Sequence, residues 1–127
     1  MNVIIETIPH GQQRYPTVGD WRWDDDGETL SIRVSKLSDW RLEMLVAFHE
    51  LAEVLMCKND GVSQKSVDDF DMAYEKTRPE GDCSEPGDSP DAPYRRQHFI
   101  ATNLERQLAD ALGVKWHDYE QEINSLP

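Results

Sequence analysis

At 127 residues the chain suits a single domain, 1–127, built on one core. A hydrophobic content of 38%, with four Trp, four Tyr and three Phe, excludes disorder of the whole chain. The net charge of −12 argues against direct binding to nucleic-acid phosphates or anionic membranes; it suits cations or a basic partner protein.

The opening MNVIIETIPHGQQ has no basic stretch, no long apolar run and no small-residue cleavage site, so no signal peptide is expected. No segment approaches the ~20 apolar residues of a membrane helix. Cys57 and Cys83 make neither a disulfide framework nor a CxxC motif, which predicts a reduced, cytoplasmic protein.

Residues 2–8 (NVIIETI) are rich in β-branched side chains and predict a first strand, broken by Pro9, Gly11 and Pro16. Trp21 and Trp23, then Leu30, Ile32 and Val34, alternate with polar residues around an Asp26-Gly27 turn. That pattern predicts a hairpin over 20–36, extended by the first segment into a small antiparallel sheet. The preceding DDDG run lacks the ligand spacing of a calcium loop and reads as a turn. Ser38 or Asp39 caps a helix running to about Lys58, with Asn59-Asp60-Gly61 as its stop. Ser66-Val67-Asp68-Asp69 resembles a capping box and predicts a short helix burying Val67, Phe70 and Tyr74, with Asp68 and Asp71 complementing its dipole. Residues 77–91, rich in Pro, Gly and acids, form a long surface loop. Asp91 caps a third helix over about 92–112, stopped by Gly113, and WHDYEQEINSL forms a short last helix. Sheet first and helices after predict an α+β fold.

The helix 39–58 carries the chemistry. At ~100° per residue it is apolar almost all the way round. Leu45, Phe48, Leu51, Ala52 and Leu55 make one broad face, and Leu42, Val46 and Met56 appear opposite. Only His49, Glu50 and Glu53 interrupt it near its centre, a polar island on a helix that should be buried. An unpartnered buried carboxylate is costly, so His49 and Glu53, at i and i+4, need a compensating group. A divalent metal satisfies both, and zinc accepts imidazole and carboxylate alike. Cys57 lies one further step along and two turns from His49, too far to share one tetrahedral site.

The third helix offers His98, Thr102 and Glu105 along the border of a stripe formed by Ile100, Ala101, Leu104, Leu108, Ala111 and Leu112. Arg95, Arg96, Asn103, Arg106 and Gln107 point to solvent. If the two helices pack, His98 meets His49 and Glu53, giving three ligands and an open position, the usual arrangement of a catalytic zinc. Glu50 then serves as general base on a metal-bound water. Glu105 is either a fourth ligand, which would close the site, or an acceptor that orients His98.

A plainer reading needs no metal. Glu53 pairs with Arg95 or Arg96, and His98 with Glu105, as a buried polar network or a solvated rim. The chain is then a non-enzymatic acidic protein that binds a basic partner or mimics nucleic-acid charge. His10 and His117, near breaks and helix ends, read as surface residues.

The segment SDWRLEMLVAFHELAEVLMC, following a hairpin, resembles the edge-strand and active-helix unit of zincin-like metallopeptidases. Through the HExxH pattern the resemblance implies His49 as first metal ligand and Glu50 as general base. Glu53 stands where that pattern has its second His, and no HxxGxxH extension follows. More narrowly, DWRLEMLVAFHELAE, VDDFDMAYE and DAPYRRQHFIATNLERQLADALGVKWHDYE together resemble small proteins of phages and prophages, a likeness that implies no activity.

Overall fold

The computed structural model describes all 127 residues. A three-stranded sheet comes first and four helices follow, so the fold is α+β. The strands are β1 (Asn2–Ile8), β2 (Gly19–Trp23) and β3 (Thr29–Ser35); the helices are α1 (Trp40–Asp60), α2 (Gln64–Thr77), α3 (Arg95–Ala111) and α4 (Trp116–Asn124).

The sheet is mixed, not purely antiparallel. Its order is β1-β3-β2, with β2 antiparallel and β1 parallel to β3. The chain reverses after β1 and again after β2, so β1 and β3 run the same way. β3 takes the centre, with Leu30, Ile32 and Val34 fully buried beneath the helices. The β2–β3 hairpin is as expected, with Gly27 at φ 70° in its turn. β1 forms the edge and leaves Val3, Ile4 and Ile5 exposed, because α1 packs chiefly over β3 and β2.

Asp39 caps α1 by accepting a hydrogen bond from the Arg41 backbone N–H, and Gly61, at φ 74°, ends it with N–H contacts to Cys57 and Lys58 carbonyls. The buried face of α1 differs from the expected one. It runs through Leu42, Leu45, Val46, His49, Glu53, Val54 and Cys57, while Phe48, Leu51 and Ala52 are half-buried and Leu55 is exposed. His49 and Glu53 therefore sit at the centre of the packed face.

α2 starts at Gln64, ahead of the expected capping box; Ser63 is the cap and accepts from the Ser66 N–H. Asp68 and Asp71 consequently lie beyond the first turn and do not serve the helix dipole. α3 starts at Arg95 and is not capped by Asp91. Pro93 disfavours the helical region at Ala92, so Asp91 cannot cap a helix that starts at Ala92. On α3 the buried residues are Gln97, His98, Ala101, Glu105 and Ala109, whereas Ile100, Leu104, Leu108 and Leu112 are half-buried and Ala111 is exposed. No helix is long and apolar enough to cross a membrane.

Candidate metal centre

α1 and α3 pack side by side, and their facing surfaces bring together the imidazoles of both helices. His49 Nε2, His98 Nδ1 and Glu53 Oε2 converge on one point: His49 to Glu53 is 3.1 Å, His98 to Glu53 is 3.0 Å, and His49 to His98 is 3.2 Å. All three residues are buried. A nearly equilateral triangle of this size has its centre about 1.8 Å from each corner, so a zinc ion at its usual ~2.0–2.1 Å fits just off the plane, with a fourth position free.

The far nitrogens explain why the near ones converge. His49 Nδ1 donates to Glu105 Oε1 at 2.8 Å, and Tyr119 donates its hydroxyl to Glu105 Oε2 at 2.5 Å. His98 Nε2 lies 2.9 Å from Glu85 Oε2 and 3.3 Å from Asp88 Oδ1. Carboxylates on the outer nitrogens favour protons there, which turns the lone pairs of His49 Nε2 and His98 Nδ1 inward. Carboxylates behind histidines are the usual second layer of a metal site. Trp21 Nε1 occupies Glu53 Oε1 at 3.1 Å, leaving Oε2 for the triangle.

Three inward lone pairs repel unless positive charge lies among them. Without a metal, protons supply it. Burial disfavours charge on His49, but its hydrogen bonds to Glu105 and Glu53 prevail and raise it well above the ordinary histidine value. His98 is raised to about 10, burial being outweighed by Glu53 and Glu85. Burial pushes Glu53 upward, yet the two imidazoles hold it down at about 2. The field that draws protons to two imidazoles this close is the field that attracts a divalent cation.

Glu50 points from the next position of α1 toward the start of β2, where its carboxylate packs on Gly19. A Cβ on Gly19 would lie 2.8 Å from Glu50 Oε1 and 2.6 Å from Val46 Cγ1. No hydrogen bond fixes the Glu50 carboxylate. Burial, then the neighbouring Glu53 charge, raise it well above the usual carboxylate range. A carboxylate whose proton affinity is raised in this way takes a proton more readily than a solvent-exposed one, which suits a base beside a potential metal position.

Glu50 and the triangle line the same cavity, of about 400 Å³. Residues 81–87 of the acidic loop form one wall, and the chain end at Leu126 and Pro127 contributes to another. The cavity also contains Asp71, which accepts hydrogen bonds from Tyr94 at 2.5 Å and Tyr15 at 3.1 Å and is raised to about 7, chiefly by burial.

Of the sequence candidates, His49, Glu53 and His98 share one point. Glu105 does not orient His98; it holds His49. Glu53 does not pair with Arg95 or Arg96, both exposed, because its oxygens are taken by Trp21 and the histidines. Thr102 bonds the His98 carbonyl of its own helix at 3.0 Å and takes no part in the triangle. Cys57 is buried outside the cluster, its thiol pushed up to about 12 by burial. His10 is tied down, 2.8 Å from Ser35 Oγ and 3.0 Å from the Pro127 carbonyl, whereas His117 is exposed as expected.

Sequence reasoning missed Tyr119, Trp21, Glu85, Asp88 and Gly87. The backbone at Gly87 lies against the His98 ring, and a Cβ there would come within 2.4 Å of Cγ. The PGD turn in the acidic loop was the one local signal of this close approach. No family model, curated protein or solved structure matches the chain.

Proposed function

We propose that this chain is a small metal-binding protein in which His49, Glu53 and His98 hold a divalent ion, zinc by its donor set, and that the ion serves hydrolysis. The observation that carries the reading is the triangle of inward donor atoms at 3.0–3.2 Å, backed by carboxylates on both outer nitrogens. Two imidazoles and one carboxylate with a free fourth position make a donor set found in hydrolytic zinc sites. Water at that position would be made more acidic by the ion, and Glu50, in the same cavity, would take its proton. The carboxylate ligand moderates the acidification, which makes a proton-accepting Glu50 more important. The cavity admits a small molecule or a short segment of chain, and its carboxylate-rich lining favours neutral or cationic substrates. The zincin-like resemblance in α1 points the same way.

The test is metal content by elemental mass spectrometry on untagged protein purified without chelator. About one zinc per chain, lost in His49→Ala and His98→Ala, supports the reading and justifies a hydrolase screen. Protein that arrives empty and takes up no zinc overturns it. His49, Glu53, His98 and Glu105 would then form a proton-filled polar network, and the acidic surface would be tested against basic partner proteins in a salt series.

A further inference from the structure

His98 faces two groups of carboxylates. Its Nδ1 belongs to the inner triangle with His49 and Glu53. Its Nε2 lies 2.9 Å from Glu85 Oε2 and 3.3 Å from Asp88 Oδ1, both on the exposed loop. Although the residue is only 6% exposed, Nε2 makes no hydrogen bond and meets the two carboxylates only as charged neighbours.

That combination is informative. A hydrogen-bond acceptor at such a distance sits near the N–H axis. Glu85 Oε2 is close enough at 2.9 Å, yet the pair does not meet the geometry of a hydrogen bond. Two ligands of one cation are arranged this way: the cation takes the lone-pair axis, and the second ligand lies to its side at roughly 3 Å from the first. The ring is not free to turn and straighten the contact, because the Gly87 backbone is pressed against it. Glu85 and Asp88 are 53% and 64% exposed, so water can complete a coordination shell.

We propose that His98 Nε2, Glu85 and Asp88 form a second divalent-cation site, joined to the inner one by the His98 ring. One nitrogen, two carboxylates and water make a harder donor set than the inner triangle, suited to Mn²⁺ or Zn²⁺. With the inner site filled, binding outside forms a bond from Nε2 to the ion and releases the Nε2 proton to water, so the ring bridges as imidazolate. With the inner site empty, the ring binds as neutral imidazole with its proton on Nδ1. The proposal extends the metal reading above, and ion stoichiometry separates the failure of one from the failure of the other.

The experiment is calorimetric and elemental titration of the full, chelator-stripped chain with Zn²⁺, for wild type, Glu85→Gln/Asp88→Asn and His49→Ala, each checked for cooperative thermal unfolding. Two ions per wild-type chain are expected, the outer at least tenfold weaker. The double variant keeps one tight ion, and His49→Ala keeps one weak ion. Stoichiometry is the decisive readout, since carboxylates that merely orient His98 alter affinity but not the number of ions. One ion at saturation in the wild type, lost in His49→Ala, overturns the outer site and leaves the inner one standing. Two ions in both wild type and double variant also overturn it, because the second ion then lies elsewhere. No ion in the wild type overturns both sites.

Discussion

His49 and His98 depend on what touches their far nitrogens. Glu105 holds His49 Nδ1, and Tyr119 in turn holds Glu105, a relay from α4 through α3 to α1. Glu105→Gln is expected to weaken zinc binding by roughly 10- to 100-fold without unfolding the chain, read by competition with a chromogenic chelator. Tyr119→Phe should give a smaller loss in the same assay, because Glu105 keeps its bond to His49. Glu50 makes no hydrogen bond to the inner donor atoms that would hold an ion. Glu50→Gln is therefore expected to bind zinc at wild-type stoichiometry while lowering hydrolysis of any substrate found by roughly 100-fold or more. Equal losses of metal and activity would remove Glu50 from the base role and make it part of the binding site.

At the scale of elements, two glycines let backbone approach the site. Gly19 begins β2 against α1, and Gly87 brings the acidic loop onto α3. Gly19→Ala places a methyl against Val46 and the Glu50 carboxylate and is expected to cost about 1–3 kcal/mol in urea unfolding. Gly87→Ala should displace His98 and weaken zinc binding more than it lowers stability, since that loop is exposed on its far side. The helices were easier to foresee than the faces they bury. Pattern located α1 and α3 because both are long and have clear stops at Gly61 and Gly113. It misplaced their buried faces because residue type alone does not tell a buried histidine from a rim histidine. On α1 the contact with α3 decides in favour of His49 and Glu53, and Leu55 is left in water.

For the molecule as a whole, Asp71 couples folding to pH. Its folded value of about 7 exceeds the unfolded value near 4, so the native state binds its proton more tightly. Its contribution is fully favourable below about pH 4 and is lost as pH rises through 7, a change on the order of 4 kcal/mol. Metal-stripped Asp71→Asn should consequently lose less stability than wild type between pH 4.5 and pH 7.5, compared by urea midpoints at each pH. A steeper loss in the variant would contradict the sign. Zinc bound at the proposed site is expected to work in the other direction: an ion held only by the folded state, at 100 times its dissociation constant, should add about 2.7 kcal/mol and raise the unfolding temperature. The same addition should do nothing for a His49→Ala/His98→Ala variant.

The α+β class, the β2–β3 hairpin, the two long helices and the candidacy of His49, Glu53 and His98 as buried polar residues in need of a partner follow from local rules: alternation in strands, helical period, caps, glycine stops and the cost of unpartnered buried charge. The direction of β1, the start of α3 and the role of Glu105 depend on where elements come to rest. So do the residues Tyr119, Trp21, Glu85, Asp88 and Gly87, which lie far along the chain from the atoms they touch. Contacts over such separations follow from the packing of whole elements against one core, and a one-dimensional pattern carries no measure of that packing.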